Sequence, residues 1–152
     1  MLRVSCCVVC DPVLYLVQVI GLRTVPLSYM PTTCDYYRDA DILEVFFADE
    51  GATAAVSVTP DITLHFRPED GAAVSLVFNN FARLVEPDQY GRRTFNIEAS
   101  HWPEPWRAVV WRLLSSFPVN EWLETITYHP RRQQRAIPLA TVKSFGALAQ
   151  PA

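Results

Sequence analysis

Two stretches decide the fold: Asp41-Ile42-Leu43-Glu44-Val45-Phe46-Phe47 and Ile62-Thr63-Leu64-His65-Phe66. Both are rich in β-branched and aromatic residues, and the second alternates apolar with polar side chains at the period of two that only a strand possesses. Each ends at a turn. Asp49-Glu50-Gly51 closes the first, and Pro68-Glu69-Asp70-Gly71 closes the second, with proline fixing φ and glycine accepting a positive one. Thr53 to Val58 and Ala73 to Asn79 read as two more strands, so residues 41 to 79 are predicted to form an antiparallel β-meander joined by short connections. Period two then sets the faces. Leu43, Val45 and Phe47, with Ile62, Leu64, Phe66, Val74, Leu76 and Phe78, share one side, and a face so apolar must be covered. The other side carries Glu44, Phe46, Thr63, His65, Arg67, Ser75 and Val77, where Phe46 and Val77 call for a cover of their own, from a C-terminal element or a second copy of the chain.

Downstream the pattern changes. Pro103 and Pro105 sit where a first helical turn tolerates them, and Trp106, Val109, Val110, Leu113 and Phe117 recur at helical spacing before Pro118. One helix over about 104 to 116 is predicted to lie across the sheet. Thr94 to Glu98 is a short candidate strand. Trp122 to Tyr128 and Ala136 to Val142 read as a C-terminal hairpin joined by a polar connector, and residues from Gly146 onward as a tail. The fold class is therefore α+β: a meander, one main helix and a hairpin within a single domain over 30 to 145.

The chain has 152 residues with a net charge of −3, half of them apolar, which suffices for one core and leaves no room for two full domains. Charge is uneven: +1 over residues 1 to 29, −7 over 30 to 80 and +3 over 81 to 152. This balance argues against a surface built wholly for nucleic acid or anionic lipid, and it lets an acidic first half attract a basic second half within one fold or between copies. In the opening segment, Val13 to Ile20 is apolar, but Asp11, Pro12, Gln18 and Arg23 interrupt it, so no membrane span is expected. The order that begins at Met30 suggests that residues 1 to 29 are upstream translation, the rivals being an apolar strand or helix, or a degenerate signal. Cys7 and Cys10 have two-residue spacing without the further ligands or the strand-and-helix context of a zinc or redox site, and with Cys34 the only cysteine in the body of the chain, a reducing, cytoplasmic setting is expected.

Tyr36-Tyr37-Arg38-Asp39-Ala40-Asp41-Ile42-Leu43, followed by Ile62 to Phe66 and Glu69-Asp70-Gly71-Ala72-Ala73-Val74-Ser75-Leu76, resembles the small bacterial family called domain of unknown function 2283. The likeness covers about residues 36 to 80. Tyr37 stands where the family usually has an aspartate, and Ser75 where it usually has a glycine. What the resemblance implies is a small meander; it carries no catalytic residue.

Chemistry is sparse in the sequence. Asp39, Asp41 and Glu44 could supply oxygens to a divalent metal, but alternation sends Asp41 and Glu44 to opposite faces, and a solvated turn explains them better. His65, His101 and His129 lie in no catalytic motif, and no phosphate loop is present, so no cofactor or metal is expected. His101, beside Glu104 at the helix start, and His65 are the residues an acid–base enzyme would use. Arg131, Arg132 and Arg135, close to Tyr128, could track phosphates, although a solvated loop is the simpler reading. Trp111, between Arg107 and Arg112 and off the main helical stripe, has the composition of an interface anchor, and Phe46 is the other apolar residue on a polar face. The expectation is a non-enzymatic interaction or regulatory module that self-associates or binds another protein. The alternatives are an enzyme using His101 or His65 with a nearby carboxylate, and a nucleic-acid binder using the arginine loop.

Overall fold

The computed structural model describes residues 3–7, 33–49, 51–131 and 134–143, with only the backbone of 3–7. The fold is α+β, as the alternation requires. Among the described residues nine strands form two sheets: β1 (Arg3–Cys7), β2 (Thr33–Tyr37), β3 (Ile42–Phe46), β4 (Ala54–Thr59), β5 (Ile62–Arg67) and β6 (Ala72–Asn79) in one, and β7 (Phe95–Asn96), β8 (Leu123–Tyr128) and β9 (Ile137–Val142) in the other. The helices are α1 (Phe81–Val85) and α2 (Arg107–Leu114), the latter entered through a 3₁₀ turn at Glu104–Trp106. The proposed start at Met30 and the tail from Gly146 fall outside the described residues, as do Cys10 and Arg132.

The large sheet is antiparallel in the order β1-β2-β3-β6-β5-β4. β4, β5 and β6 are the meander that the turns dictate. β3 lies beside β6, so the connection from Phe47 to Thr53 passes over the ends of two strands, held by Phe47 N–H to Val74 O at 2.8 Å and Thr53 N–H to Phe66 O at 3.2 Å. Leu43, Val45, Phe47, Ile62, Leu64, Phe66, Leu76 and Phe78 are buried on one face as period two predicts. Val74 departs from it. The register of β5 and β6 shifts between His65 and Phe66, pairing Phe66 with Ala73, so Ala73 takes the core position and Val74 is the bulged residue.

Over that face lie α2 and the small sheet. Trp102, Val110, Leu113, Leu114, Trp122, Leu123, Ala140 and Val142 join the sheet residues in one cluster. Phe66 meets Trp106 edge to face, with ring centres 5.7 Å apart. The edge of β4 is covered by the segment before α2: Glu98 N–H donates to Val58 O at 2.9 Å and Trp102 Nε1–H to Ser57 O at 2.6 Å. Carbonyls that an edge strand would offer to another chain are thereby occupied. Phe117, expected on the helical stripe, is exposed because α2 stops at Leu114; the Ser115 and Ser116 hydroxyls donate back to Trp111 O and Arg112 O at 2.7 and 2.6 Å.

Two elements lie where the sequence reading placed none. β2 precedes the first predicted strand, and α1 follows β6 directly. Asp41 joins them. With a left-handed backbone (φ 51°), its carboxylate accepts from the Tyr36 hydroxyl at 2.8 Å and from Ala82 N–H at 3.0 and 3.2 Å, while its carbonyl accepts from Phe81 N–H at 3.0 Å. Burial, and then the hydrogen bond to Asp41, hold the Tyr36 phenol above its ordinary pKa of 10.0.

Candidate interaction surface

The small sheet has the order β7-β9-β8, and its hairpin presents two faces by alternation. Leu123, Ala140 and Val142 point into the core. On the outer face, Ile126 pairs with Leu139 and Tyr128 with Ile137. Ile126 is 43 % exposed, Tyr128 54 % and Ile137 37 %, so three large apolar side chains stand together at one end of the hairpin. A scattered surface leucine needs no explanation, whereas three such side chains side by side make a continuous apolar patch. The other end of the same face is closed: the Thr141 hydroxyl donates to Arg93 O at 2.7 Å, and Arg92 lies 3.6 Å from Glu124. The apolar patch therefore begins where this cover stops. Beyond it, His129, Arg131 and Arg135 in the connector are all exposed.

The residues singled out from the sequence fall at separate places. Trp111 is half-buried, its ring 5.1 Å from that of Trp102 at a steep angle, so part of its apolar area is used within the chain. Phe46 and Val77 are half-buried on the far face of the large sheet, opposite the side on which the C-terminal elements pack. His101 is largely exposed, with Nδ1 3.7 Å from the Glu98 carboxylate, while Glu104 pairs with Arg107 and not with His101. Asp41 caps α1, and Glu44 lies across the sheet from it, so the oxygens of the acidic turn do not converge.

His65 has the richest surroundings. Ser75 is buried beside it on β6, with Oγ 3.2 Å from His65 Nδ1 and 3.4 Å from Glu44 Oε1. The three side chains come from adjacent strands, with Ser75 opposite His65, and they meet because register aligns them. No spacing in the sequence announces such a meeting. The apolar face of the hairpin did leave a signal: Ile126, Tyr128, Ile137 and Leu139 occupy the alternate positions to Leu123, Ala140 and Val142, making both faces of one hairpin apolar. Among the described residues no helix is long and apolar enough to cross a membrane. Compared with protein-family models, curated proteins and solved structures, the chain matches none.

Proposed function

We propose that the protein is a non-enzymatic interaction module that self-associates, and that the outer face and edge of the small sheet are its contact surface. The observation that carries this reading is the cluster of Ile126, Tyr128 and Ile137, exposed together beside an edge of β8 that pairs with no further strand among the described residues. Burying such side chains contributes about 25 cal/mol for each Å² removed from water. The cytoplasm is part of the proposal, since three of the four cysteines fall within the first ten residues and the body of the sequence offers no disulfide framework. So is kinship with domain of unknown function 2283 over residues 36 to 80, which brings an architecture and no activity. Light scattering at tens of micromolar is expected to return twice the 17.2 kDa chain mass. The double variant Tyr128→Asp, Ile137→Asp, altered only at exposed positions, is expected to return the single mass. A wild-type mass of one chain overturns the proposal.

A second reading, acid–base chemistry at His65, has one observation in its favour. With Glu44 ionised, the single hydroxyl proton of Ser75 goes to that carboxylate, and its oxygen accepts from His65 Nδ1–H. The Nε2 lone pair is then left available, the arrangement that a general base requires. Imidazole ¹⁵N NMR at neutral pH is expected to show the Nδ1–H tautomer in the wild type and its loss in Ser75→Ala. An Nε2–H tautomer in the wild type removes the basis for this chemistry.

A further inference from the structure

We infer that the second copy joins through β8, edge to edge and antiparallel, with Ile126 on the two-fold axis. The inference rests on the self-association proposed above and adds its register. Backbone direction identifies the groups available. Lys143 N–H donates to Trp122 O at 3.0 Å, which makes these residues a hydrogen-bonded pair at the foot of the hairpin. Such pairs alternate along an antiparallel ladder, so Glu124, Ile126 and Tyr128 turn their backbone groups towards Thr141, Leu139 and Ile137 of β9. The far side of β9 agrees. Ile97 N–H donates to Pro138 O at 3.0 Å, so the backbone of Pro138 faces β7 and not its β8 neighbour Thr127. Thr125 and Thr127 therefore direct N–H and C=O out from the edge. Leu123 does so as well, but it is buried.

One arrangement uses both threonines of both copies within the strand: Thr125 opposite Thr127 of the second copy, and the reverse. Ile126 then meets its own counterpart across the axis, and on the outer face Leu139 and Ile126 of each copy form one continuous apolar row. Sliding by one residue sets outer-face side chains against inner-face ones. Sliding by two either calls on the buried Leu123 or leaves Thr125 facing the connector. Charge favours the same antiparallel sense: Glu121 ends the 3₁₀ turn just before β8 and Arg131 lies beyond its other end, so the pairing sets the acidic end of each copy near the basic end of the other. Both residues are exposed, and neither forms an ion pair among the described residues. β8 also has no proline, lysine or bulge to block pairing.

The test is cysteine cross-linking of the full chain, with the bridged peptides identified by mass spectrometry. In a non-hydrogen-bonded antiparallel pair the Cα atoms lie about 4.5 Å apart, within disulfide reach, so Ile126→Cys is expected to give a covalent dimer bridged at 126. In Thr127→Cys the two sulfur-bearing residues are offset by two positions, roughly 8 Å apart, and no bridge is expected. In the otherwise unaltered protein, Glu121→Arg and Arg131→Glu are each expected to weaken the dimer about five-fold, with the double variant restoring it. Bridging at 127 in place of 126, or a dimer with neither bridge and no response to the charge reversals, overturns the register and leaves self-association standing. A single-chain mass for the wild type overturns both.

Discussion

Trp102→Ala is expected to lower the unfolding free energy by about 3–5 kcal/mol, read from urea denaturation, the largest loss of any single change considered for this chain. The indole is buried (3 % exposed) and fills the space between the sheet edge and α2, its ring set against Trp111. Its Nε1–H also occupies Ser57 O on β4, so the alanine variant loses packing and leaves an edge carbonyl without its donor. Trp102→Phe separates the two effects. It keeps most of the ring and is expected to cost about 1–2 kcal/mol for the lost hydrogen bond and trimmed volume. Small domains are stable by only about 5–15 kcal/mol, so the alanine variant should be visibly less stable at room temperature. Equal, small losses for both variants would mean that this segment does not clasp the sheet.

Asp41→Ala is expected to cost about 2–3 kcal/mol, because one side chain serves three elements. The change strands the Tyr36 hydroxyl and the Ala82 N–H, and it places a Cβ-bearing residue without a polar side chain in the left-handed region. Asp41→Gly is the informative partner: it loses the same hydrogen bonds but tolerates φ 51°, so it should be less harmful than alanine by about 1 kcal/mol. Titration offers a second readout. The folded-state pKa of Tyr36 lies above its unfolded value of 10.0, so its contribution to stability is fully present below pH 10.0 and is lost as pH rises through the folded value. In Asp41→Ala, absorbance at 295 nm should show Tyr36 ionising closer to the ordinary tyrosine range. Unchanged stability and an unchanged Tyr36 titration would show that Asp41 does not hold this corner.

The faces of the strands were legible, and the partners of the strands less so. Leu43, Leu64 and Phe78 declare a buried side by period two whichever strands adjoin. The same period is blind to order, so the placing of β3 beside β6 had no counterpart in the sequence. Val74 illustrates a limit of another kind, since one bulged residue moves the core position to Ala73 with no change in composition. β2 was hidden because Thr33-Cys34-Asp35-Tyr36-Tyr37 mixes polar and apolar residues without a strict alternation, and α1 because five residues are too few to show a helical period. The proposed contact surface stood in between. The hairpin was predicted, and its outward apolar row follows from alternation once Leu123 is known to point inward. The company of His65, Ser75 and Glu44 depends on register across three strands, which only the folded sheet supplies.

Hydrogen exchange at the Thr125 and Thr127 amides reads out directly whether β8 pairs with a second copy. Both N–H groups leave the edge of β8 that pairs with no further strand among the described residues, so in a single chain they should exchange as fast as loop amides, and in the paired protein they should be protected. Slow exchange is expected at these two amides, with protection that strengthens as the protein concentration is raised, and Ile126 and Tyr128 protected by β9 at every concentration. Rapid exchange at Thr125 and Thr127, unaltered by concentration, would contradict this pairing.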